Sequence, residues 1–159
     1  MSKKLVLLFL LAFFGFAGVA RAQSAHPYGP PIALAAAKRA AAAAVAAAKA
    51  HKFVPYVVAI VDPAGLLVYF ERMDNAQYAS IPIAIDKAKS AALFRRPTKV
   101  WEDLVTKGAT RLLGLRGAVP SEGGVPLVSG GKIIGAIGAS AGTPQQDGIV
   151  AKAGAETIK

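Results

Sequence analysis

The sequence predicts an α+β domain in which an antiparallel sheet is covered by helices on both faces. Three observations carry that expectation. The stretches 55–72 and 125–139 each read as two apolar strands around a tight turn, and hairpins make a sheet antiparallel. The first strand, P-Y-V-V-A-I-V-D at 55–62, is apolar almost without alternation, the pattern of a strand buried on both sides. Helical stretches precede, separate and follow the hairpins instead of alternating with single strands, so the order is not that of a Rossmann fold.

The 159-residue chain opens on a secretory leader: Lys3 and Lys4, an apolar run from Leu5 to Val19, and the small-x-small site Ala20-Arg21-Ala22. That run is shorter than the roughly 20 apolar residues of a spanning helix. No cysteine follows the site to carry a lipid, so the expected product is exported and keeps no stable membrane insertion. Cleavage after Ala22 leaves residues 23–159 with sixteen basic and nine acidic residues, a net charge of +7. A chain without cysteine forms no disulfide, thiolate metal site, iron–sulfur cluster or c-type haem link, and its stability rests on the core. The positive charge suits an anionic small molecule, an anionic membrane face or an acidic partner. Basic residues are not interleaved with aromatics in a stripe, which argues against nucleic acid.

Residues 23–31 read as an irregular lead-in fixed by its prolines. Residues 32–159 are the domain. Ile32–Lys52 is rich in alanine, the strongest helix former, with Lys38 and Lys49 on one face. Asp62-Pro63-Ala64-Gly65 turns the first hairpin, and Leu66–Arg72 is its return strand. After a loop from Met73 to Ala79 comes the central stretch, S-I-P-I-A-I-D-K-A-K-S-A-A-L-F-R-R-P-T at 80–98. Ser80 is placed to cap a helix, and Pro82 falls in its first turn. Ile81, Ala84, Ile85, Ala88, Ala91 and Ala92 share one stripe at 100° per residue, with Asp86, Lys89 and Ser90 opposite. Pro97 stops this helix, and Thr98 is placed to cap the next, Lys99–Gly108, with Val100, Trp101, Leu104 and Val105 inward. Residues 112–119 are apolar but broken by Gly114 and Gly117, a strand or an extended loop. The second hairpin turns at Ser129-Gly130-Gly131. Gly135 and Gly138 in its return strand imply close approach, for which the central helix is the natural partner. Gln145–Ile158 is the last helix.

Chemistry-bearing residues are sparse, and no nucleophilic triad is visible. His26 lies in the lead-in. His51 ends the first helix, where a cation meets the negative end of the dipole, and an axial-ligand or general-base role is the alternative. Arg95 falls on the buried stripe by angle, where a guanidinium calls for an anionic partner, internal or bound. Arg96 adjoins it, and Arg72 and Asp74 flank Met73. The glycines at 123–124 and 130–131 make loops able to cradle a carboxylate or phosphate, though neither matches a P-loop.

Five pieces in order, A-I-V-D-P-A-G at 59–65, R-M-D at 72–74, the stretch at 80–98, E-G-G-V-P-L at 122–127 and I-G-A-I-G-A-S at 134–140, make the chain resemble the GlcG/HbpS-like haem-binding (or haem-degrading) domain family. This family also supplies the C-terminal domain of some corrinoid adenosyltransferases. The resemblance runs from about Ile32 to the C-terminus, with Ala141 intervening where the family usually continues as I-G-V-S-G. It implies a profilin-like, three-layer fold with a five-stranded antiparallel sheet, the fifth strand falling within 110–119, and assembly into homo-oligomers. It also implies haem binding, in exported members as capture or sensing. Toward haem the chain offers Arg72, Arg95, Arg96, Lys49 and Lys52 for the propionates, and His51, Met73 or a tyrosine as axial group, which makes His51 the candidate metal ligand. The competing readings are a binding module holding a small organic acid with Arg95 and the Gly123-Gly124 loop, and an enzyme acting on haem or a small metabolite; Thr98 is a further candidate for ligand contact. For the enzyme no complete acid–base set can be named.

Overall fold

The structure is a computed structural model that describes residues 26–159, so the expected leader lies outside the described residues. The helices are α1 (Leu34–Ala50), α2 (Ser80–Leu93), α3 (Lys99–Thr106) and α4 (Pro144–Ala155), and the strands are β1 (Val57–Val61), β2 (Leu67–Arg72), β3 (Gly124–Ser129) and β4 (Lys132–Ser140). The strands form one antiparallel sheet in the order β2-β1-β4-β3.

β1 is fully buried, and its alternation divides two cores. Val58 and Ile60, with Ile137 and Ala139 of β4, face the layer of α1 and α4, while Val57, Ala59 and Val61 meet α2 on the other side. The alanines explain the spacing of these layers. Ala84, Ala88, Ala91 and Ala92 present only methyl groups, so α2 settles onto β4 until a side chain at Gly138 would collide with the Ala84 carbonyl. A side chain at Gly154 of α4 would come within 2.7 Å of the Ala40 carbonyl of α1. α4 starts on a capping box between Thr143 and Gln146, with Pro144 in its first turn.

Several expectations need correction. The fifth strand is absent: among the described residues the sheet has four strands. Thr110–Gly114 is a 3-10 turn, continued by bonds from the Leu115 and Ala118 amides to the carbonyls three residues back. The glycines at 114 and 117 and the arginines at 111 and 116 break the period of two that a strand needs. The lead-in is more ordered than its prolines suggest. β1 pairs with β4 only as far as Val61 and Ala136, leaving the start of β4 an open edge. The chain at 27–32 takes that edge, with Gly29 and Ile32 amides donating to the Ile133 and Ile134 carbonyls at 2.8 Å. Gly135 accordingly approaches Val61 and Ile32, not α2. Of the apolar face assigned to α3 only Trp101 is buried. Ser90 is buried, its hydroxyl accepting the Val119 amide. Ser80 and Thr98 supply no helix-capping hydrogen bond, and their hydroxyls are used elsewhere.

Candidate functional site

The end of the first hairpin and the last turns of α1 enclose an open cleft of about 300 Å³. Val45 and Lys49, one turn apart on α1, form one wall, and Glu71, Arg72, Met73 and Asp74 form the other. The register of the hairpin builds this edge: Val57 pairs with Arg72, so Tyr56 and Met73 meet just beyond the ladder. The Met73 amide donates to the Tyr56 carbonyl at 2.9 Å, and the Tyr56 amide donates to Met73 Sδ at 3.2 Å. The thioether is thus fixed at the cleft with one lone pair already engaged. Arg72 lies over the ring of Tyr78, 5.3 Å from its centroid. Glu71 accepts from the Tyr69 hydroxyl at 3.2 Å, and desolvation, then that carboxylate, pushes the Tyr69 phenol up from its ordinary value.

His51 ends α1 two residues beyond Lys49, and its backbone caps the helix. Its exposed imidazole stacks on Phe53 at 5.1 Å between centroids, and Phe53 leans on Tyr56 at 6.3 Å. His51, Phe53, Tyr56 and Met73 therefore form a contiguous run at one end of the molecule.

The remaining sequence candidates lie elsewhere. Arg95 corrects the expectation of a buried guanidinium: α2 ends at Leu93, and Arg95 turns out of the helix at φ +54°. Its exposed side chain lies over the ring of Tyr28 at 5.4 Å. The helical angle that put it on the stripe no longer applies there. Arg96 covers Trp101 at 5.0 Å and donates to the Phe94 carbonyl at 3.1 Å. Both sit past the far end of α2, about 20 Å along its axis from the Arg72 edge. Thr98, Gly123 and Gly124 belong to a packing joint. The Thr98 hydroxyl accepts the Gly124 amide at 2.9 Å, and the Thr98 amide donates back to the Gly124 carbonyl at 3.0 Å. Gly123 leaves room for Ala139, Asp147 and Lys87 around it.

That joint surrounds residues the sequence reading passed over. Lys87, buried on α2, donates to Asp147 Oδ2 at 2.6 Å and to the Glu122 carbonyl at 2.7 Å. Asp147 Oδ1 accepts the Ala141 and Gly142 amides at 3.1 and 3.0 Å. Glu122 pairs with Lys152 at 3.0 Å, and its amide donates to Glu102 at 2.5 Å. The pair ties α2 to α4 across the sheet, and both Asp147 oxygens have partners, so it is a structural knot and not a vacant binding site. The spacing carried a signal for it: Ala84, Lys87, Ala88 and Ala91 recur at i, i+3, i+4 and i+7, which puts Lys87 on the buried stripe. Tyr56 points its hydroxyl into the same region, buried and without a hydrogen-bond partner among the described residues. Burial, reinforced by the nearby Asp147 charge, holds its phenol well above the ordinary tyrosine range. Among the described residues no three His, Asp or Glu side chains gather as a metal site, and no helix is long and apolar enough to cross a membrane.

Comparisons with known proteins fit this architecture. A family model described as "Haem degrading protein HbpS-like" matches residues 32–156. The chain is 37% identical over 126 residues to an uncharacterised 15.0 kDa protein from the dhaT-dhaS intergenic region of Citrobacter freundii, covering 76% of this chain and 87% of that one. The crystal structure of HbpS superposes with a TM-score of 0.74 at 29% identity, over 82% of this chain and 92% of that one. The structure of a PduOC:heme complex does so with a TM-score of 0.73 at 30% identity, over 81% and 96%.

Proposed function

The chain belongs to the HbpS-like family, and from that premise we propose that it is an exported, non-enzymatic haem-binding protein acting in haem capture or sensing. The observation that carries this reading is the cleft itself, which joins Lys49, Arg72 and Met73 at the end of α1 that bears His51. The donor set fits a haem at its rim and its iron. Lys49 and Arg72, beside the lining carboxylates Glu71 and Asp74, suit the propionates, Met73 and the neighbouring His51 suit the metal, and Val45 supplies apolar contact. Met73 Sδ already accepts the Tyr56 amide, so His51 is the better axial candidate. The volume, about 300 Å³, is at the small end for ligand pockets, so a haem would lie across the mouth and leave one face for a second copy in a homo-oligomer. The relatives support haem to the extent of their descriptions, one of which is a heme complex.

The test is a haem titration of residues 23–159 followed in the visible, with His51→Ala, Met73→Leu and Lys49→Gln/Arg72→Gln alongside. A saturable Soret shift that changes shape in His51→Ala and weakens at least about ten-fold without the two cations is expected. A shift altered only by Met73→Leu moves the axial role there. Absence of a saturable shift overturns the reading. Loss of the Soret band on adding a reductant points to haem degradation instead. The small volume and the two lining cations also favour a second reading, a small organic acid held by Lys49 and Arg72, which a carboxylate screen on the same variants separates from haem.

A further inference from the structure

The segment from α3 to Gly117 is set apart from the rest of the fold. α3 packs mainly on the 3-10 turn, and neither packs substantially on the sheet. Trp101 is buried, but three of the segment's leucines face outward: Leu113 is 62% exposed, Leu115 40% and Leu104 39%. Between Lys107 and Gly117 the chain carries Lys107, Arg111 and Arg116 and no acidic residue. The two carboxylates of α3 are engaged, Glu102 by the Glu122 amide and Asp103 by Lys99 at 2.8 Å. Phe94 packs edge-on against Trp101 at 5.1 Å and lies 3.7 Å from where a Gly117 side chain would begin, so the exposed Arg95 and Arg96 border the same surface.

We propose that this surface docks the protein onto an anionic lipid bilayer. Exposed leucines between arginines are the composition of an interfacial contact, in which apolar side chains enter the headgroup boundary and guanidiniums meet lipid phosphates. Charge decides the occupant. A two-fold contact between copies would set Arg111 and Arg116 of one against the same patch of the other, like charge against like, whereas an anionic surface is complementary to it. The two exposed leucines between the arginines, Leu113 and Leu115, are a small apolar contact, so attachment is reversible and depends on the cations.

The experiment is co-sedimentation of residues 23–159 with phosphatidylcholine vesicles, with and without phosphatidylglycerol, at rising salt. Binding that requires phosphatidylglycerol and weakens with salt is expected. Arg111→Gln/Arg116→Gln lowers the partition coefficient roughly 30-fold, about five-fold per charge. Leu113→Ser/Leu115→Ser lowers it about ten-fold or more. These positions are exposed, and unchanged thermal unfolding shows that each variant is folded. Failure to bind phosphatidylglycerol vesicles, or binding indifferent to both variants, overturns the proposal. So does a leucine variant that changes the assembly state in sedimentation while the parent ignores lipid, because that assigns the surface to a second copy.

Discussion

Lys87→Met is the most direct perturbation of the fold's centre. Methionine keeps the length of the stem but removes the ammonium, leaving the Asp147 carboxylate in a core where its side chain is 4% exposed. Removing one partner of a buried pair costs about 3–5 kcal/mol, because the remaining charge has lost its compensation. Here the lower half of that range applies, since Asp147 keeps the Ala141 and Gly142 amides. The Glu122 carbonyl loses its Lys87 donor at the same time, which adds to the cost. For a domain of this size, about 3 kcal/mol lowers Tm by roughly 10 °C. Urea and thermal unfolding at pH 7, followed by circular dichroism, read this directly. The companion is Lys87→Met/Asp147→Asn, which removes the second charge but keeps an oxygen for the two amides. It should recover at least about 1 kcal/mol over the single variant. A single variant less than about 1 kcal/mol below the parent, or a double variant less stable than the single one, would refute the assignment of this pair as an uncompensatable charge in the core.

Gly138→Ala forces a methyl group into the Ala84 carbonyl and should cost about 3 kcal/mol or more, measured as a fall in urea midpoint. Gly130→Ala meets nothing but open space; only its φ of +53° resists the change, so a loss of about 1 kcal/mol serves as the control. Thr98→Val deprives the buried Gly124 amide of its acceptor and should lose about 1–3 kcal/mol, while Thr98→Ser should stay within about 1 kcal/mol of the parent. Tyr56→Phe removes a buried hydroxyl that has no hydrogen-bond partner among the described residues and should be neutral or slightly stabilising at pH 7. The folded-state pKa of Tyr56 is raised, so stability from this residue is complete below about pH 10. It declines above that as the unfolded chain ionises first, by up to about 1.4 kcal/mol per pH unit. Denaturation curves from pH 9 to 11 should diverge between the parent and Tyr56→Phe, and parallel curves would count against the burial of that phenol.

What could be read from the chain depended on whether a residue's neighbours were local. Val57–Val61 announced its burial on both faces because each residue reports its own environment, and Asp62–Gly65 and Ser129–Gly131 announced their turns through φ. The central helix was legible as far as Leu93. Extending its 100° period to Arg95 failed because Pro97 already disturbs the last turn, and Arg95 leaves the helix at φ +54°. The same periodicity contained Lys87, but a lysine on an apolar stripe has no local sign of its partner. Asp147 is sixty residues away, and only the closed sheet brings the two together. The strand expected at 110–119 failed on its own sequence: Arg111, Gly114, Arg116 and Gly117 break the period of two, although β2 and β3 each leave an outer edge without a strand among the described residues. The edge beside the start of β4 was taken by the proline-rich lead-in, a segment whose composition gave no hint of pairing. At the candidate site, Arg72 and Met73 lie together because the hairpin register fixes them. The contribution of Lys49 depends on where an almost featureless alanine helix happens to lie.

This division bears on how far the family likeness reaches. The stretch at 80–98 contributes Lys87, Ala84 and Thr98 to packing. The piece at 122–127 contributes the Glu122 carbonyl and the narrow backbone at Gly123 and Gly124, and that at 134–140 contributes Gly138 beneath α2. These long pieces thus describe the knot that holds two helical layers on one sheet, and a chain carrying them is constrained to this fold whatever it binds. Only R-M-D at 72–74 reaches the cleft, where Arg72, Met73 and Asp74 line one wall. The opposite wall, Val45 and Lys49, and the neighbouring His51 come from a helix whose other requirement is small size against α4. Ligand choice can therefore change by substitution at 45, 49 and 51 without disturbing the knot. In this chain Lys49, Arg72 and Met73 line the cleft with His51 beside it, while the motifs at 80–98, 122–127 and 134–140 account for the fold.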